Sequence, residues 1–224
     1  MHMRVGTYNV QSFRAGADAV AEVVGPEQPD ILLVQECGPR RALRRFAQTL
    51  GMDVESSHRP FGRVRNAVLF RSPWRPGSVQ TATFTPMGRA MLRGFIAVHL
   101  RRAGVALVAV SVHLGLVPRE REAHARDLTD FLSGLDDPVV IGVDLNEEAE
   151  APAARWIGER LFDVCRRPEE RALLTFPGRI PTARIDYLFV SAEILRHRAW
   201  VPVGQAATAS DHRPVLADVE VAEP

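Results

Sequence analysis

The chain has 224 residues, with 28 basic and 27 acidic side chains for a net charge of +1, and 46% of it is hydrophobic. That is ordinary globular composition at a length that can bury one sizeable core, so a disordered chain, a fibrous repeat and a small disulfide scaffold are excluded. Every basic residue is arginine, but the balanced total gives no global pull towards a polyanion, so any affinity for nucleic acid must come from local clustering.

In chain order, residues 4–9 read as a short strand and 17–24 as a helix stopped by Gly25 and Pro26. Residues 31–35 form a continuous apolar run of strand length, as expected of a fully buried strand. Pro39 opens a helix over 40–50, ended by Gly51. Strands are expected at 67–71, 92–100 and 104–112, the last two joined as a hairpin across Arg101-Arg102-Ala103 and Gly104. Residues 119–134 read as a helix with Pro118 at its first turn and Gly134 at its end. A strand at 139–143, a helix at 152–162 and strands at 185–190 and 214–221 complete the pattern, with Pro-rich loops at 72–76 and 168–181. Hairpins beside βαβ-like units favour a mixed sheet, or two sheets face to face with helices outside, over a barrel of eight βα units.

No repeat, linker or low-complexity segment interrupts the pattern, so one domain over 4–221 is expected, with Met1-His2-Met3 read as a start at Met3 behind residues left from cloning. Cys37 and Cys165 have no CxxC spacing and read as reduced thiols. No run approaches the ~18 apolar residues of a membrane span. The N-terminus carries no signal-peptide pattern, so a cytoplasmic monomer is expected.

The informative feature is what punctuates the apolar strands. One ends in Asn9, the next in Glu36, another in His113, and another in Asp144 and Asn146, an i, i+2 pair that can converge on one ligand. Late in the chain the order inverts, with Asp186 and Asp211-His212 preceding or beginning their strands. If those strands run antiparallel to the earlier ones, all these groups meet on one rim. Such a carboxylate cluster repels itself without a cation. Oxygen donors with few sulfurs select a hard ion, Mg²⁺ with Mn²⁺ as the other choice. Metal-assisted hydrolysis, of a phosphate ester, is the chemistry this composition suits. Each residue has a plainer reading. Asn9 and Asp211-His212 suit turns, Asp144 and Asn146 a turn and a helix cap, and His113 a core position. A carboxylate beside a buried strand, as at Glu36, needs a partner.

Their joint order resembles a known family. Tyr8-Asn9, Gln35-Glu36, Ser111-Val112-His113, Gly142-Val143-Asp144-Leu145-Asn146, Arg184-Ile185-Asp186-Tyr187 and Ser210-Asp211-His212-Arg213-Pro214-Val215 are similar to the motifs of the endonuclease/exonuclease/phosphatase, or DNase I-like, superfamily. The resemblance implies a four-layer α/β sandwich of two packed mixed β-sheets flanked by helices. It implies Glu36 as principal metal carboxylate with Asn9 and Asp211 as companions. Asp144 is implied to align or deprotonate the attacking water, or to hold a second metal, and Asn146 to hold the nucleophile and a phosphate oxygen. His212 is implied at the scissile phosphate with Asp186 behind it. Histidine at 113, where the abasic-site endonucleases carry tyrosine, resembles DNase I, the sphingomyelinases and the inositol phosphatases. Asn66 resembles a residue supporting that histidine, and Arg89 or Arg93 a family arginine near the site.

Cys37, following the Gln-Glu pair, reads as a small buried hydrophobe rather than a nucleophile. The chain lacks room for long loops that wrap duplex DNA. The expected activity is that of a metal-dependent phosphoesterase on a phosphorylated small molecule or a nucleic acid. A DNase I-type nuclease would need a basic track, which Arg40, Arg41, Arg44 and Arg45, or Arg63 and Arg65, could supply; a solvated helix face is the plainer reading of the first four. Arg41 and Arg45 are the candidates for holding phosphates beyond the scissile one. A catalytically inactive binding module on the same fold is the remaining alternative.

Overall fold

The structure is a computed structural model that describes residues 1–57, 65–86, 92–165, 173–202, 204 and 206–222. The expected buried strands form in place. β1 (His2–Asn9) pairs in parallel with β2 (Ile31–Gln35), which pairs with β4 (Ala67–Phe70), and β3 (Asp53–Ser56) closes that edge. On the other side β1 pairs antiparallel with β12 (Val215–Val221), and β11 (Ile194–Trp200) is the outer strand. The second sheet runs β5 (Arg75–Thr83), β6 (Gly94–Arg102), β7 (Val105–His113), β8 (Val139–Asp144), β10 (Asp186–Val190) and β9 (Phe162–Asp163). The two six-stranded sheets pack face to face around Val5, Ile31, Leu33, Val68, Ile96, Val98, Ala109 and Val140.

Helices cover the outer faces. α1 (Ala17–Val24) and α2 (Arg40–Leu50) bury Val20, Val24, Leu43, Phe46 and Leu50 against the first sheet. α3 (Pro118–Leu132) and α4 (Pro152–Gly158) bury Ala125, Leu128, Ala153 and Ile157 against the second. The four layers are those of the DNase I-like sandwich. α2 starts after Pro39 and stops at Gly51, whose left-handed φ of 64° suits glycine. The β6–β7 hairpin turns on Ala103 and Gly104, with φ of 48° and 84°, the mirror-image turn that matches strand twist. No helix among the described residues is long and apolar enough to cross a membrane. Cys37 and Cys165 are buried thiols, and burial pushes the Cys37 thiol up to about 12.

Several expectations are corrected. Residues 72–76, read as a loop, lead into β5, which is exposed at every residue and bulged between Pro76 and Val79, so no alternation marks it. The helix at 152–162 stops at Gly158, and its last residues enter β9. β1 begins at His2 rather than residue 4, with His2 in register with Glu220.

Close packing of the two sheets depends on Gly142 of β8. A Cβ there would lie 2.6 Å from Leu33 Cβ and 2.6 Å from Thr7 Oγ1, both on the opposite sheet. Gly142→Ala is therefore expected to force the sheets apart and cost about 1–3 kcal/mol. The midpoint of urea unfolding should fall; an unchanged midpoint would mean the sheets can part at no cost.

Candidate active site

β12 and β10 run antiparallel to β1 and β8, respectively. The ends of β1, β2, β7 and β8 and the starts of β10 and β12 therefore share one rim. Asn9 pairs in register with Gln35, and Glu36 follows immediately. Asp144 pairs in register with His113 on one side and Asp186 on the other.

A buried polar network locks the sheets beneath this rim. Gln35 Nε2 of the first sheet donates to Ser111 Oγ at 3.2 Å and to Gly142 O at 3.1 Å in the second, and to Thr7 Oγ1 at 3.1 Å. Ser111 Oγ returns a bond to Val34 O at 2.8 Å. Each polar atom is satisfied in a dry interface, which fixes the sheets' relative register. Gln35 and Ser111 stood in the quoted motifs without a role; their signal was an uncharged polar residue inside an apolar strand.

Asp144 is the hub. Its Oδ2 accepts from Asn9 Nδ2 at 2.8 Å and lies 3.2 Å from His113 Nε2 and 3.8 Å from His212 Nε2. Its Oδ1 accepts from the Asn146 N–H at 3.1 Å. Burial alone would raise this carboxyl, but His113, His212 and Asn9 outweigh it and hold the group well below the usual carboxylate range. Asn9 Oδ1 accepts from the Gln11 N–H at 3.0 Å, so the amide clamps Asp144 to the end of β1. Asn146, at φ 55°, donates its amide to Leu114 O at 3.2 Å.

His212 and Asp186 form a buried pair, Nδ1 to Oδ2 at 2.9 Å. Burial works against the imidazolium, but Asp186, then Asp144 and Asp211, outweigh it and push His212 up to about 10. Among the described residues nothing hydrogen-bonds the buried Asp186 Oδ1, and burial holds that carboxyl above its usual range. Phe176 lies against the imidazole at 5.0 Å between ring centroids.

The second imidazole is backed by the opposite charge. Arg93 Nη1 lies 3.0 Å from His113 Nδ1. A guanidinium can only donate, so Nδ1 accepts and the proton sits on Nε2, facing Asp144. Arg93, a substrate-binding candidate by sequence, is thus placed behind His113. Asn66 Nδ2 donates to Gly94 O at 2.8 Å and Ser111 O at 3.3 Å, bracing the start of β6, next to Arg93, against the end of β7 that carries His113.

Glu36 and Asp211 stand half-buried at the rim. Glu36 has a left-handed φ of 49°, and its carbonyl accepts from the Ser12 N–H at 2.9 Å. Ser210 Oγ donates to Asn9 O at 2.7 Å, which ties the Asp211 loop to β1. Two half-buried carboxylates at this rim are of the oxygen type that a hard divalent ion prefers. Donor atoms of Asp144, Asp186 and His212 lie within 4.8 Å of one another, close enough to share a metal.

The arginines of α2 are exposed. Arg45 Nε pairs with Asp18 of α1 at 2.9 Å on the exposed surface, and Arg41 is exposed on the same helix. Arg65 is exposed beside Cys37, whose N–H donates to Arg65 O at 2.9 Å. Arg63 and Arg89 lie outside the described residues.

A family profile described as the endonuclease/exonuclease/phosphatase family matches residues 6–212. The uncharacterized protein YbhP of Escherichia coli (strain K12) is 25% identical over 222 residues, 95% of this chain and 86% of YbhP. A Bacteroides vulgatus endonuclease/exonuclease/phosphatase superposes with a TM-score of 0.86 at 20% identity, over 99% of this chain and 100% of its own. A mannosyl-6-phosphatase of Bacteroides thetaiotaomicron superposes with a TM-score of 0.81 at 18% identity, over 97% of this chain and 99% of its own. At these identities the superpositions speak for the fold.

Proposed function

The chain belongs to the endonuclease/exonuclease/phosphatase family, and on that premise we propose that it is a Mg²⁺-dependent phosphoesterase that hydrolyses a phosphate ester by attack of water at this rim. The observation that carries the reading is Asp144, held ionised between Asn9, His113 and His212 at a rim that also carries the half-buried Glu36 and Asp211.

Glu36 and Asp211 would hold the ion, and a bound Mg²⁺ supplies Lewis-acid polarisation of a phosphoryl oxygen. Asp144, kept ionised, is a hydrogen-bond acceptor that orients the attacking water rather than a strong base. His212, cationic because Asp186 backs it, offsets charge developing on the phosphoryl oxygens. Asn146 holds the nucleophile and a phosphate oxygen. His113 donates from Nε2, with Arg93 fixing its tautomer.

A compact phosphorylated substrate is favoured over duplex DNA. Arg45 is engaged by Asp18, which removes one cation from the basic track a nuclease would need. A panel of phosphomonoesters, phosphodiesters, inositol phosphates and DNA, with and without Mg²⁺, tests the reading. Mg²⁺-dependent turnover of a small ester is expected. Turnover of DNA alone, falling steeply with salt, would replace the reading with a nuclease, and no turnover of any ester would overturn it.

Arg93 acts as a positioning residue. Arg93→Gln is expected to lower kcat about 10–100-fold, in line with the loss of other groups that orient a site imidazole, and to leave KM nearly unchanged. The nitrogen NMR shifts of His113 should show the Nε2–H form in the wild type and a mixture in the variant. A raised KM with unchanged shifts would return Arg93 to direct substrate binding.

A further inference from the structure

Asn146 is half-buried at the rim, in a left-handed conformation that asparagine tolerates without favouring. The residue after it, Glu147, is buried and engaged by three elements. Its Oε2 accepts from Arg121 Nε at 2.6 Å, its Oε1 from the Ala154 N–H at 2.9 Å, and its carbonyl lies 3.3 Å from Tyr187 Oη. Arg121, in the first turn of α3, also donates from Nη1 to Leu116 O at 2.7 Å. The connection after β8 is therefore tied twice to the connection after β7, by Asn146 on Leu114 and by Glu147 through Arg121 on Leu116.

We propose that Arg121 and Glu147 are positioning residues for the hydrolysis proposed above, on which this role rests: their buried ion pair holds Asn146 in its left-handed conformation and so sets where its amide meets the nucleophile and a phosphate oxygen. A non-glycine residue stays left-handed where its surroundings over-determine it. Here Asp144 Oδ1 fixes the Asn146 N–H from one side and Glu147 fixes the chain from the other. α4 starts at Pro152 with no side-chain cap from Ala151, so the Ala154 N–H depends on Glu147. Glu147 cannot turn without leaving that donor and a buried guanidinium unmet. A lysine at 121 would keep the charge but lose the rigid fork that reaches Glu147 and Leu116 together. A displacement of about 1 Å at a reacting group costs on the order of 10²-fold in rate, so a loosened Asn146 is felt in kcat.

The test is a double-mutant cycle on the full chain with the best small ester at saturating Mg²⁺. Arg121→Lys and Glu147→Gln are each made alone and with Asn146→Ala. Each single exchange should lower kcat about 10–100-fold and leave the Mg²⁺ concentration for half the maximal rate unchanged. In the Asn146→Ala background the same exchanges should cost less than about 3-fold, because there is no amide left to place. If Glu147→Gln melts below the assay temperature, Arg121→Lys carries the cycle alone. Losses that multiply in full in the double variants would mean that the pair only supports the fold, and would overturn its positioning role. The side-chain amide NMR signals of Asn146, read without substrate, should shift or broaden in both variants, and unchanged signals would also overturn it. Shifted signals together with no turnover of any ester by the wild type would sink the hydrolytic reading and keep the pair as what holds Asn146.

Discussion

Glu36→Gln is expected to cut hydrolysis roughly 10³-fold and to raise the Mg²⁺ concentration needed for what remains. The exchange keeps shape and removes one charge from the proposed hard-ion site, where a carboxylate would contribute several kcal/mol of transition-state stabilisation, each 1.4 kcal/mol being tenfold in rate. Glu36 stands one residue past the last β1–β2 pair, in a left-handed conformation unusual for glutamate. Strain held at such a position marks a side chain aimed for use. The backbone contact to Ser12 survives the substitution, so thermal unfolding should be unchanged. Wild-type turnover at low Mg²⁺ would remove Glu36 from the metal site.

His212→Ala is expected to lower the rate by about 10²–10⁴-fold, the usual cost of losing such a group. Asp186→Asn should also be damaging, with a distinct signature. The carboxylate favours the imidazolium, so its loss lowers the pKa of His212. The cationic form is then lost at lower pH, and the alkaline limb of the kcat profile should move towards acid. A merely structural Asp186 would change stability without moving that limb. If Asp186→Asn were silent while His212→Ala was inactive, the pairing across 2.9 Å would have no part in catalysis.

The rim was legible because chemistry interrupts hydrophobicity there. Runs such as Ile31–Gln35 and Val139–Asp144 end abruptly in a charged or polar residue, and the burial of both strands leaves that residue at the edge of a dry core. What escaped reading depends on exposure and register. β5 is exposed along its length and β11 is broken by a bulge, so neither shows a period of two. That Arg93 stands beside His113 depended on the β6–β7 register, which pairs Gly94 with His113 and so places the residue before Gly94 beside that imidazole. The arginines of α2 share a face by spacing, but only the neighbouring helix reveals that Asp18 engages Arg45.

The central claim is that water attacks phosphorus under the guidance of Asp144. It is tested most directly by following the best small ester of the panel in heavy-oxygen water with Mg²⁺, for the wild type and Asp144→Asn. The account predicts that the label enters the phosphate product and that the variant loses turnover by about 10²–10⁴-fold. Label in the alcohol, or wild-type turnover by Asp144→Asn, would contradict it.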